Sequence, residues 1–188
     1  MREAIKYCRA KEIDTLIDIG TGSGIIALSV LSAVDIPQVI AVDISPKALV
    51  IAAKNAEILD KKVMFLESDL LEIFLQKETL LQEQNICIVT NLPYIKHDDW
   101  ENMSSDTVHE PKLALFGGEH TGFELYEKLF AQISTFVEKY EPKKLTILAE
   151  MGDDQTEIAR EILSEYGWEF SFFIDLRGIE RFMKIYVR

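Results

Sequence analysis

The chain has 188 residues, 48% of them hydrophobic, and a formal net charge of −12. That length suits one domain with a full core, and the apolar content excludes an extensively disordered chain. The charge disfavours tight binding to a nucleic-acid backbone, which needs a basic footprint, and every apolar run falls well short of the roughly 20 residues of a membrane span. Cys8 and Cys87 make no disulfide framework. The first residues lack the apolar core of a secretory signal, so a reduced, cytoplasmic location is expected.

Taken in chain order, residues 1–12 read as a short amphipathic helix or a tail, and residues 1–14 are set apart from a domain over 15–188. A strand over 15–19 runs straight into glycines. Residues 25–34 are apolar enough for a packed helix, and 38–43 form a second strand. Ser45 caps the next helix with Pro46 at its first position, and that helix runs to about residue 59. Residues 62–66 make a third strand, 70–84 a helix, and 85–90 a fourth strand rich in branched residues. From 95 to 121 no period is steady, and so long a loop is usually functional. Residues 122–140 read as a helix, 145–150 as a fifth strand, and 153–166 as a helix closed by Gly167. Two final strands, 169–175 and 181–187, share a link too short for a parallel crossover. The pattern predicts an α/β fold, a doubly wound, mostly parallel seven-stranded sheet with an antiparallel last strand.

Ligands of such sheets bind beyond the carboxyl ends of the strands. Asp18-Ile19-Gly20-Thr21-Gly22-Ser23-Gly24 lies at the first of these ends. Its G-x-G-x-G spacing is not the G-x-G-x-x-G of a dinucleotide fold, and Asp18 suits an ammonium group better than phosphates. Asp43 ends the second strand, where a carboxylate can accept both hydroxyls of a ribose. Asp69 ends the third. It is suited to an adenine amino group, with Leu70 against the ring, or equally to capping the helix after it. Asn91-Leu92-Pro93-Tyr94 ends the fourth. Asn91 offers one acceptor oxygen and two N–H donors, Pro93 stiffens the turn and biases Leu92 to extended backbone, and Tyr94 supplies a flat wall. Such a turn can hold a planar group bearing an NH₂.

The glycine loop and the strand-end acids resemble the class I, Rossmann-like, S-adenosylmethionine-dependent methyltransferases. The resemblance implies that Gly20, Thr21, Gly22, Ser23 and Gly24 cradle the methionine part and that Asp43 holds the ribose, leaving S-adenosylhomocysteine as product. Asn91 to Tyr94 resembles the Asn-Pro-Pro-Tyr turn of enzymes that methylate planar nitrogens. In that likeness Asn91 accepts one N–H of the substrate, the Leu92 carbonyl accepts the other, Tyr94 packs on the flat group, and no strong general base is needed. Glu110 to Gly118, read E-P-K-L-A-L-F-G-G, followed by Gly122 to Tyr126, resembles the PrmC/HemK family of release-factor glutamine methyltransferases. So do Glu150-Met151-Gly152 and Asp175 to Arg181. The likeness covers roughly 15–187 and implies methylation of a glutamine side-chain nitrogen in the Gly-Gly-Gln loop of a peptide-chain release factor.

Three departures stand out. Leu92 replaces the family's first proline, which restores an N–H and loosens the turn. The stretch between Gly118 and Gly122 is one residue longer. The family's N-terminal helical domain and its Pro-Arg-Pro-x-Thr-Glu linker have no counterpart, so the likeness is to the catalytic domain only. Asn-Leu-Pro-Tyr also resembles adenine N6-methyltransferases acting on nucleic acid, against which stand the acidic charge and the Glu110 to Gly118 segment. A module that binds the cofactor without turnover is the non-enzymatic alternative. His97, His109 and His120 share a loop without the partners of a metal site, so no metal is expected. Trp100 and Phe123 line a substrate groove or anchor the loop, and Glu110 is read as structural.

Overall fold

The computed structural model describes residues 1–77, 81, 85–96 and 115–187. In chain order these hold α1 Arg2–Ala10, β1 Thr15–Ile19, α2 Ile25–Leu31, β2 Gln38–Asp43, α3 Pro46–Ile58, β3 Met64–Glu67, α4 Glu72–Gln76, β4 Asn85–Thr90, β5 Ile95–Lys96, β6 Phe116–Gly118, α5 Glu124–Tyr140, β7 Lys144–Glu150, α6 Thr156–Glu165, β8 Glu169–Ile174 and β9 Glu180–Val187. Seven strands make one sheet in the order β3-β2-β1-β4-β7-β9-β8. Only β9 runs against its neighbours in that sheet, β7 and β8. The expected α/β sheet with an antiparallel last strand is therefore the observed one.

The central strands are continuous apolar runs because both their faces are covered. All five residues of β1 are buried. Ile17, Ile19, Ile86 and Ile88 pack with Phe74, Phe130, Phe136 and Leu163 from α4, α5 and α6. The alternate residues Leu16, Cys87 and Val89 pack with Ala27 and Val30 of α2 and with Ala4 and Cys8 of α1. The Tyr7 hydroxyl adds a 2.7 Å hydrogen bond to the Thr146 hydroxyl of β7. The first residues are thus a packed helix and not a loose tail.

The chain leaves β1 for β2 and β3, then returns to β4 on the other side of β1. This reversal opens a crevice at the strand ends, the usual ligand position in such sheets. Register makes the crevice straight. Ile19 lies beside Val42 and Thr90, and Thr90 beside Ala149. The residues that follow these, Gly20, Asp43, Asn91 and Glu150, therefore stand in one row.

Several helices are shorter than their sequence patterns. α2 stops at Leu31, where the N–H groups of Ala33 and Val34 both turn back to the Val30 carbonyl. The segment expected to be helical over 70–84 holds only the five residues of α4 among those described. Leu70 is in the left-handed region, φ +54°, and Lys77 is already extended. The Ser68 hydroxyl, not Asp69, accepts the N–H of Ile73 and so caps this turn. The ends of the aperiodic stretch 95–121 form a second sheet, with β5 parallel to β6. His97, Trp100, His109, Glu110 and Lys112 lie outside the described residues. Among the described residues, no helix is long and apolar enough to cross a membrane. No group of three or more His, Cys, Asp or Glu residues is placed there to hold a metal.

Candidate active site

A cavity of about 260 Å³ lies at the row of strand ends, lined by Gly20, Gly22, Asp43, Ile44, Ser45, Ala48, Ser68, Asp69, Leu70, Asn91, Leu92, Pro93 and Leu125. Eight of these were singled out from sequence; Ile44, Ser45, Ala48, Ser68 and Leu125 were not. The signal for Ile44 was its place directly after a strand-end acid, and it is 49% exposed.

The glycine loop is built on Asp43. Its Oδ2 accepts the Gly22 N–H and its Oδ1 the Ser45 N–H, each at 2.8 Å. Each carboxylate oxygen keeps a second lone pair for a donor from the cavity. Gly20 has φ +67°, and a Cβ there would stand 3.1 Å from the Leu92 side chain, so loop and turn meet at this point. Thr21, Ser23 and Gly24 support the loop and lie off the cavity wall. Gly24 starts α2, and the Ser23 carbonyl accepts a 2.9 Å bond from Asn55.

Asp18 also lies behind the wall. It is fully buried, and its Oδ2 accepts the Thr21 hydroxyl at 2.8 Å and the Ala27 N–H at 3.0 Å. Burial raises its pKa to about 6 against the lowering effect of those two bonds. Its Oδ1 has no partner among the described residues, an orphan that suits a cationic or N–H-bearing group nearby. Asp69 is ion-paired with Lys128 of α5, and its backbone carbonyl and the Leu71 N–H are both held by the Gln132 side chain.

Asn91 is exposed at the end of β4, and no described residue ties up its carboxamide. It also borders a second cavity of about 390 Å³, walled by α1 and by residues of β4, β7, β8 and β9. Asn91 thus borders two hollows. Leu92 is buried, and its N–H donates to the Tyr126 hydroxyl at 3.4 Å. Tyr94 lines neither cavity. Its ring lies 5.3 Å from the Arg181 guanidinium, which donates a 2.7 Å bond to its hydroxyl. Burial raises the Tyr94 phenol above its ordinary value and Arg181 partly offsets this, so the group is neutral at physiological pH.

Three residues outside the sequence-derived site hold this turn from three elements. Tyr126 of α5 bonds to the Leu92 N–H and donates to the Glu150 carbonyl. Gln155, 1% exposed at the start of α6, donates to the carbonyls of Tyr94 and Thr121 and accepts the Gly152 N–H. Arg181 of β9 holds the Tyr94 ring. Tyr126 and Arg181 sit inside segments whose pattern had marked them, and Gln155 lies three residues past one. The β5–β6 pair closes the fourth side. A Cβ on Gly117 would stand 2.4 Å from the Pro93 carbonyl oxygen and 2.8 Å from the Tyr94 Cα, so only glycine lets these backbones touch. Phe123 is fully buried and stacked on Tyr126 at 5.0 Å, which makes it an anchor and not a groove wall.

The arrangement suits a ligand with an apolar planar part, vicinal hydroxyls and a positive charge. Ile44, Leu70 and Leu125 offer apolar walls, Asp43 free lone pairs, and Asp18, Asp43 and Asp69 a negative surround. Phosphates would meet that surround unfavourably.

Comparison with known proteins is consistent with this geometry. The family model described as ribosomal protein L11 methyltransferase (PrmA) matches residues 3–95. The release factor glutamine methyltransferase of Lactococcus lactis subsp. lactis is 40% identical over 118 residues, 62% of this chain and 41% of that protein. That of Deinococcus radiodurans is 30% identical over 181 residues, 96% of this chain and 61% of that protein. The chain spans about half the length of the curated relatives it matches. Among solved structures, a ribosomal protein L11 methylase from Lactobacillus delbrueckii subsp. bulgaricus has a TM-score of 0.62 at 17% identity, over 98% of this chain and 74% of that one.

Proposed function

This chain belongs to the release factor glutamine methyltransferase family, over about half the length of those relatives, and from that premise we propose that it methylates the side-chain amide nitrogen of a glutamine in the Gly-Gly-Gln loop of a peptide-chain release factor. The methyl donor of this reading is S-adenosylmethionine, whose bound form would supply an electrophilic methyl carbon next to a sulfonium charge. The catalytic unit is residues 15–188, against which α1 packs.

The observation that carries the reading is Asn91, which borders two cavities and whose carboxamide no described residue engages. One cavity has the acids, lone pairs and apolar walls that fit an adenosyl group with a cationic sulfur. Asp43 would take the ribose hydroxyls there, Ile44, Leu70 and Leu125 would flank the base, and Asp18 would act through the field of its buried charge. The substrate amide would enter from the second cavity.

An amide nitrogen has its lone pair delocalised into the carbonyl. The chain's task is to fix both N–H bonds and so aim that lone pair. Asn91 accepts one N–H on its side-chain oxygen, and the Leu92 carbonyl accepts the other. Both are neutral acceptors, so they stabilise the positive charge that develops on nitrogen without first removing a proton. After transfer the proton leaves to solvent water, which reaches the exposed Asn91. Tyr94 stays protonated and serves through its ring and its backbone, not as a base.

The test is transfer from a radiolabelled donor to purified release factor, with ribosomal RNA in a parallel reaction. Label on the release-factor glutamine, with S-adenosylhomocysteine formed in equal amount, is expected. Label in RNA alone would replace this reading with an adenine methyltransferase. Cofactor binding with transfer to neither would make the chain a binding module.

A further inference from the structure

The Leu92 N–H distinguishes this turn from one with proline at the same position. A proline there locks φ near −65° and leaves no donor to satisfy. Leucine at 92 frees the torsion and adds a backbone N–H that is buried with its residue, 3% exposed. A buried N–H without a partner is costly. The partner here is the Tyr126 hydroxyl, 3.4 Å away. That hydroxyl donates its own hydrogen to the Glu150 carbonyl, so its lone pair is turned towards Leu92. The ring cannot swing away. Tyr126 is fully buried, stacked on Phe123 at 5.0 Å and tilted against Phe130 at 6.1 Å. Burial pushes its pKa up, so it remains a neutral donor and acceptor.

We propose that Tyr126 is a positioning residue, its hydroxyl fixing the Asn91–Leu92 peptide by a hydrogen bond to the N–H that leucine, unlike proline, carries. The peptide it holds carries the Asn91 side chain on one side and leads to the Leu92 carbonyl on the other. These are the two acceptors of the substrate amide in the function proposed above, on which the catalytic arm of this proposal rests. Glu150 ends β7, so the hydroxyl also ties the turn to the neighbouring strand across the row of strand ends.

The test is a double-mutant cycle with Tyr126→Phe and Leu92→Pro, read on the whole chain by urea denaturation and by kcat. Removing the hydroxyl beside Leu92 leaves an unsatisfied buried N–H. Tyr126→Phe alone is therefore expected to lower kcat about five- to tenfold, with the affinity for S-adenosylhomocysteine changed less than about twofold. In the Leu92→Pro background no N–H exists, and adding Tyr126→Phe should change kcat less than about twofold. The urea midpoint should likewise fall by more in the leucine background than in the proline one. A hydroxyl that served only core packing or the Glu150 carbonyl would cost the same in both. Equal denaturation losses in the two backgrounds would overturn the hydrogen bond, and coupled denaturation with uncoupled kcat would overturn the positioning role. Should the wild-type chain transfer no methyl to release factor, the functional reading falls and the denaturation cycle alone decides the hydrogen bond.

Discussion

Asn91 and Asp18 differ in their settings: no described residue engages the first, and the second is enclosed. Because no described residue engages the Asn91 carboxamide, its loss should spare the fold and the cofactor cavity. We expect Asn91→Ala to lower kcat at least about a hundredfold, the scale of one transition-state hydrogen-bond group, while calorimetry gives an S-adenosylhomocysteine affinity within about threefold of wild type. Transfer at near wild-type rate would overturn its assignment. Asp18 has a folded-state pKa of about 6, above the ordinary value near 4 of an unfolded carboxyl. The folded chain therefore binds this proton more tightly than the unfolded one. The stability it contributes is complete below about pH 4 and is lost as pH rises through about 6. Asp18→Asn does not titrate. The stability of wild type relative to that variant should fall by about 2 to 3 kcal/mol between pH 4 and 7, at ~1.4 kcal/mol per unit. Urea melts at both pH values check this, and a constant difference would refute it. The sequence made Asp18 visible through its place before the glycines, but not its depth. A strand end can face a ligand or the back of its own loop, and only the bonds to Thr21 and Ala27 decide which.

Among the elements, strands were more legible than helix ends. The buried strands appear as continuous apolar runs, and β9 is antiparallel because its link to β8 is short. Among the described residues α4 is shorter than the helix expected over 70–84, because Leu70 and Lys77 leave helical geometry. The β5–β6 pair left no readable signal: two and three residues cannot display a period, and their pairing spans some twenty positions. The supports of the active-site turn were hidden for a related reason. Gln155 acts 61 positions from Tyr94 and Arg181 acts 87 positions from it, on backbone or ring atoms that carry no local pattern. Gln155 joins the turn after β4, the loop before α5 and the turn before α6. Gln155→Ala should cost about 3 kcal/mol, roughly 1 kcal/mol for each of its three backbone hydrogen bonds, one buried and two part-buried, and lower the melting temperature by about 6–12 °C. It should lower kcat as well, since the Tyr94 carbonyl is released. Scanning calorimetry beside the transfer assay checks both. An unchanged melting temperature would mean that water replaces the side chain.

At the scale of the molecule, the fold divides the work along the sheet. β1, β2 and β3 end in the cofactor cavity. β4 ends in the turn, and β7, β9 and their helices hold that turn in place. The match to the ribosomal protein L11 methyltransferase model covers residues 3–95, which is the cavity half and its border with the turn. Cofactor binding should therefore be a property of this chain by itself. At about a hundred times its Kd, S-adenosylhomocysteine should stabilise the fold by ~2.7 kcal/mol and raise the melting temperature by about 5–10 °C. NAD at the same concentration should leave it unchanged, because its pyrophosphate would meet the acids around the glycine loop. A shift with NAD alone would reverse the ligand assignment.

β9 follows β8 in the chain but lies between β7 and β8, and it carries Arg181. Every described residue that lines the cavity beside Asp43 has been synthesised by Leu125. During translation the described walls of this cavity thus emerge well before Arg181, which holds the Tyr94 ring. Until residues 180–187 emerge, β7 lacks its outer neighbour and β8 lacks any. The cavity and the clamp on the turn beside it are in this way separated along the chain, and a chain cut before residue 180 would keep every described wall of the one and lose Arg181 from the other.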